Sequence, residues 1–168
     1  MRYNLVSVLI LIFAQSLICN FLHISNFLTL SILPVLVLCL PTRYSTTHAL
    51  VAAFLIGLAV DFMAEGVMGL NVFALVPVGL ARRKICNAIF GEELVARMDD
   101  FSVKKYGVAK VALALAAVQA IFLIFYIWAD GGRSWPASTN VFRFLISFLA
   151  GLAVSLPLAN MLTREGRA

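Results

Sequence analysis

Charge is what this chain has least of. Lys, Arg, Asp and Glu make up 12% of its 168 residues, where a soluble domain carries about 25%. A water-soluble fold cannot cover its surface with so few charges, which excludes the ordinary cytosolic enzyme or binding domain. Cysteine is scarce too. Cys19, Cys39 and Cys86 stand singly in or beside apolar runs, and without a C-x-x-C pair neither a disulfide framework nor a zinc site is expected. The two histidines, His23 and His48, are isolated. No H-E-x-x-H, G-x-S-x-G, Walker or intramembrane G-x-G-D sequence occurs. No basic stretch is interleaved with aromatics in the manner of a nucleic-acid surface. An enzyme, a metal centre, a cofactor site and a nucleic-acid partner are therefore not expected.

What fills the chain is apolar: 62% of residues are hydrophobic and the mean hydropathy is +1.00. Six apolar stretches stand out, at about 5–22, 27–40, 48–63, 70–81, 108–128 and 141–162. The first follows Met1-Arg2 in the outline of a signal peptide, but no A-x-A site comes after it, so an uncleaved span is expected. The second, with Pro34 inside it, covers only roughly 21 Å at 1.5 Å per residue, short of a ~30 Å bilayer core, so it either borrows residues 22–25 or is kinked and buried among other helices. The fifth ends in Phe122, Phe125, Tyr126 and Trp128, the composition of an interfacial belt. The expected fold is an all-α integral membrane protein. It is a single domain over 1–168, a compact six-helix transmembrane bundle with a cytoplasmic amphipathic loop at about 82–110.

The basic residues orient this bundle. Eleven of the thirteen Lys and Arg fall on one side if the chain crosses six times, with Arg82, Arg83 and Lys84 heading the loop and only Arg133 and Arg143 opposite. Positive charge stays on the cytoplasmic side, which puts both termini inside and the turn after Asp61 outside. The loop cluster serves either to hold that loop in the cytoplasm or to contact a partner or anionic lipid.

Asp61 and Glu65 are the acids placed among apolar runs. They continue a four-residue spacing that begins with Ala49, Ala53 and Gly57, one face of a helix, narrow first and acidic at its outer end. Small faces let helix backbones approach closely in lipid, where no hydrophobic drive pulls helices together. Ser147, Gly151 and Ser155 repeat the device, as do Ala112, Ala116 and Ala120. Asp61 reads either as a functional ionisable residue or as a capping carboxylate in an exterior turn. His48 is no partner for it, since thirteen residues of helix separate their Cα atoms by about 20 Å. No polar pathway is expected across the other spans, and no internal repeat supports alternating access.

The segment L-I-G-L-A-V-D-F-M-A-E-G-V-M-G-L-N, residues 55–71, resembles the signature hairpin of the rod shape-determining MreD family. There G-x-x-x-D is followed by a glycine-rich turn and G-L-N or G-L-H. Gly57, Asp61, Gly66, Gly69, Leu70 and Asn71 occupy those positions, and chain length and the single basic loop agree. The resemblance implies a noncatalytic scaffold in the bacterial inner membrane, serving cell elongation and peptidoglycan synthesis. It implies as partners a single-span MreC-like protein and, through it, MreB, RodA and a class B penicillin-binding protein. It also implies a fold like the substrate-binding subunits of energy-coupling-factor transporters, so a vitamin-type transporter subunit is the alternative. The residues expected to matter for packing or partner binding are Gly57, Asp61, Glu65, Gly66, Gly69 and Asn71.

Overall fold

A computed structural model of the protein describes residues 10–17, 29–41, 44–63, 68–91, 106–130 and 136–164. All regular structure among them is helical. We label the helices α1 (10–17), α2 (Leu33–Leu38), α3 (Thr46–Met63), α4 (Leu70–Phe90), α5 (Val108–Ala129) and α6 (Ala137–Arg164). Three segments are long and apolar enough to cross a membrane: Thr46–Met63, Val108–Ala129 and Ala137–Leu162.

Consecutive long helices pack side by side, α3 on α4, α4 on α5 and α5 on α6, as neighbours in a helix bundle do. Ring contacts identify the two ends of this array. Phe73 of α4 stacks on Trp128 and meets Phe125 edge-on, both near the end of α5. At the opposite end Phe90 meets Tyr106. The Asp61 turn therefore lies at the same end of the bundle as the aromatic end of α5.

The second apolar stretch departs from expectation. Its described part is not a 14-residue span: residues 29–32 are non-helical and the helix runs only from Leu33 to Leu38. Pro34 sits in the first turn of α2, where its missing N–H costs nothing. Every α2 residue is buried, because the helix touches α3, α4, α5 and α6. It is a core element, not a lipid-facing span.

The fourth stretch departs in the other direction. It does not leave the helix at Ala81. α4 continues through Arg82-Arg83-Lys84 to Phe90, with Pro77 inside it. The loop expected at about 82–110 is accordingly shorter: Ile85, Ala88 and Ile89 belong to α4, and residues 92–105 lie outside the described residues. Arg83 and Lys84 are exposed, but Arg82 is buried. Its Nε donates to the Leu38 carbonyl at 3.3 Å and its Nη2 to the Leu40 carbonyl. The expected cluster of three is thus a pair of surface cations and one internal clamp. Arg82 satisfies carbonyls that the C-terminus of α2 leaves without intrahelical partners. Replacing it with leucine is expected to cost about 2 kcal/mol, the penalty for stranding buried acceptors of a charged donor. Lysine, lacking the planar fork, is expected to recover only part. Thermal unfolding in detergent measures both, and a leucine variant as stable as the parent excludes the clamp.

Candidate functional site: the Asp61 hairpin

α3 carries Asp61 in its last turn, and α4 starts after Gly69. Gly69 has φ 92°, a left-handed conformation that costs other residues energy. With its backbone turned this way, the first N–H groups of α4 point back at α3. A helix start leaves four N–H groups unpaired, and here a carboxylate from the preceding helix takes three of them. Asp61 Oδ2 accepts from Gly69 N at 3.1 Å and from Val72 N at 3.2 Å. Oδ1 accepts from Asn71 N at 3.1 Å and from Asn71 Nδ2 at 2.9 Å. Both residues are buried, Asp61 to 5% exposure. The positive end of the α4 dipole further favours a carboxylate at this position.

This geometry decides between the two readings of Asp61. Each carboxylate oxygen already accepts two hydrogen bonds inside the hairpin, so the group is a helix cap supplied from eight to eleven residues upstream. It has no surface to offer a docked partner. Glu65 and Gly66, also expected at this site, lie outside the described residues.

The small-residue face below Asp61 is likewise used within the hairpin. A Cβ added to Gly57 would stand 2.8 Å from Val72 Cα and 2.9 Å from Val72 N. One added to Gly79 would stand 3.2 Å from Ala53 Cβ and 3.3 Å from the Ala49 carbonyl oxygen. Ala49, Ala53, Gly57 and Asp61 are therefore the α3 side of the α3–α4 contact, and all four are buried. This face is filled by α4, so it offers no groove to a partner's transmembrane segment. At the far end of α3, His48 stays apart from Asp61, its Nδ1 2.8 Å from Ser45 Oγ and its ring stacked on Tyr44.

A second group of polar residues has no counterpart in the expected site. Gln15, Ser31, Gln119, Ser147 and Ser155 are all buried. All but Ser155 gather around non-helical residues 29–32. Gln15 Nε2 donates to the Leu30 carbonyl at 3.1 Å, and its Oε1 accepts from Ile32 N at 2.8 Å. Ser147 Oγ accepts from Thr29 N at 2.9 Å. Gln119 Nε2 reaches the Ser31 carbonyl at 3.5 Å. Irregular backbone away from water persists only where protein groups satisfy it, and these side chains do so. On α6 the pattern has a sequence signal, since Arg143, Ser147, Gly151 and Ser155 recur every four residues and all are buried. Arg143 Nη2 meets Asp130 Oδ2 at 2.7 Å, tying α6 to the end of α5. Polar side chains thus lie buried between the helices, where they bond residues 29–32 and join α6 to α5.

The class defined by these features is an all-helical protein with three helices able to cross a membrane and two buried polar centres. Compared with family models, with curated proteins and with solved structures, the chain matches none.

Proposed function

We propose that this protein is a noncatalytic scaffold of the MreD kind in the bacterial inner membrane, a part of the cell-elongation machinery. One observation carries the reading. The motif that resembles the MreD signature closes into a single hydrogen-bonded unit in which Asp61 is fully engaged. A carboxylate held in this way builds a rigid hairpin and has no lone pair aimed at a substrate. In this reading the chain crosses six times with both termini cytoplasmic, the return to the cytoplasm before α3 running through residues 29–41. In this reading its fold is also of the energy-coupling-factor substrate-binding kind. With the α3 groove filled, an MreC-like single span meets the outward side of α3, where Val51, Leu55, Leu58 and Phe62 are exposed, and links the bundle to MreB, RodA and a class B penicillin-binding protein.

Purification of the tagged protein in mild detergent tests this. Co-purification of an MreC-like protein and RodA, reduced by Leu58→Trp and Phe62→Ala in a variant that keeps its thermal midpoint, is the expected result. Recovery of ATPase subunits instead selects a second reading, the membrane subunit of a small-molecule transporter. What favours that second reading is the buried polar group around Gln119, which a pure scaffold does not require.

A further inference from the structure

Arg83 and Lys84 are the surface cations of α4, and their level in the bundle distinguishes them from ordinary loop charges. α3 and α4 run antiparallel, with Gly57 against Val72 and Gly79 against Ala49 and Leu50. Four residues carry α4 from Gly79 to Arg83, and four carry α3 from Leu50 back to Thr46, about 6 Å in each case. Arg83 and Lys84 therefore stand level with the first residues of α3. That helix, Thr46–Met63, is long and apolar enough to cross a membrane, so its start lies at the edge of the hydrocarbon. α4 runs on past this level to Phe90, about 9 Å beyond Lys84 by helix rise, where Phe90 packs on Tyr106.

The outward strip of α4 leading to these cations is apolar. Phe73 and Leu80 are exposed, and Val76 and Pro77 between them are partly so. Arg83 and Lys84 follow Leu80 within about one turn. Among the described residues neither cation makes an ion pair, and the two described acids, Asp61 and Asp130, lie at the opposite end of the bundle. An apolar strip about 15 Å long by helix rise, ending in two unmatched cations at the hydrocarbon edge, matches the outline of a phospholipid with a net negative headgroup. A soluble anion uses the cations and leaves the strip uncovered. An apolar transmembrane partner covers the strip and leaves the cations unmatched. Long basic side chains lay their stems on apolar surface and hold their charge at the interface, and anionic headgroups attract basic residues placed there.

We propose that Arg83 and Lys84 hold the phosphate of an anionic phospholipid whose acyl chain lies along Leu80, Pro77 and Phe73. The site depends on helices that cross the membrane and not on the scaffold reading.

Native mass spectrometry of the full chain, released from detergent micelles that contain dioleoylphosphatidylglycerol or dioleoylphosphatidylcholine, counts the lipids retained. The parent is expected to hold phosphatidylglycerol about tenfold more tightly than phosphatidylcholine, and Arg83→Gln with Lys84→Gln to bring the two lipids within about twofold. Lys110→Gln removes an exposed cation from α5 and serves as the reference for net charge, so it is expected to keep the preference. Glycerol phosphate, which has the headgroup charge without the chains, is expected not to displace the lipid. In nanodiscs, phosphatidylglycerol with a diazirine on its acyl chain is expected to label α4 between Phe73 and Leu80 ahead of the exposed faces of α3, α5 and α6. Equal retention of the two lipids by the parent overturns the proposal, as does an equal loss of preference in Lys110→Gln. Displacement by glycerol phosphate also overturns it and assigns the cations to a soluble anion. If the double variant fails to fold, the label decides alone, and an even spread over all four helices sinks the site.

Discussion

Replacing Asp61 with alanine is expected to lower the unfolding free energy by about 3 kcal/mol, measured as the thermal transition in detergent. The carboxylate takes the N–H groups of Gly69, Asn71 and Val72 and the Asn71 side chain. Alanine strands all four donors. A buried donor without a partner costs about 1–3 kcal/mol and a lost helix cap about 1. Water arriving beside exposed Met68 re-pairs part of the turn, so the loss falls below the sum. Asp61→Asn keeps one acceptor oxygen but turns an NH2 toward N–H groups, and is expected to retain less than half of the stability that alanine removes. Asn71→Ala leaves three of the four bonds and is expected to cost about 1 kcal/mol. If alanine and asparagine at 61 both melt with the parent, the carboxylate is not the cap.

The second large effect is expected at Gly57. Its closest neighbours across the hairpin are backbone atoms of Val72 and Asn71, which cannot swing aside as a side-chain tip does. Gly57→Ala therefore forces α3 and α4 apart by some tenths of an ångström, at about 1–3 kcal/mol, and Gly57→Leu prevents the hairpin from closing. A cross-link reads this directly. Residues 53 and 79 face each other, with 3.2 Å between Ala53 Cβ and a Cβ built on Gly79, a few tenths of an ångström under the Cβ separation a disulfide takes, which a small outward shift of the helices supplies. Ala53→Cys with Gly79→Cys is expected to oxidise readily while Gly57 is kept, and to lose most of its cross-linking once Gly57→Leu is added. Undiminished cross-linking in that triple variant excludes the close contact.

The parts of this fold legible in the sequence are those governed by the local period. Apolar runs ending in turn residues locate α3, α5 and α6 to within a few residues. The four-residue spacing of Ala49, Ala53, Gly57 and Asp61 identifies a packed face. Which surface that face packs against is a tertiary matter, and here it is α4 itself. Two elements depart from their sequence pattern for identifiable reasons. Arg82-Arg83-Lys84 reads as an exit from lipid because charge is costly there, yet a helix propagates through charged residues when its hydrogen bonds continue and one guanidinium finds carbonyls inside. Pro34 reads as a kink within a span, whereas its fixed φ suits a helix start and residues 29–32 are supported by side chains from other helices. Gln15 and Gln119 carry no local sign of joining one polar centre, since they are brought to residues 29–32 only by the folded bundle.

The separations in sequence of these hydrogen bonds imply an order of assembly. The bonds that seal the α3–α4 hairpin span at most 11 residues, so the loop closed is short and its entropy cost small. That hairpin is able to lock as soon as α4 has formed, before α5 is synthesised. The bond from Thr29 to Ser147 spans 118 residues. Until α6 inserts, the early segment 29–32 waits in or near lipid with an unpaired N–H, which the membrane penalises. The last helix made thus completes the first irregular stretch made. A chain stopped after α5 carries a closed hairpin beside residues 29–32 that still lack the Ser147 acceptor.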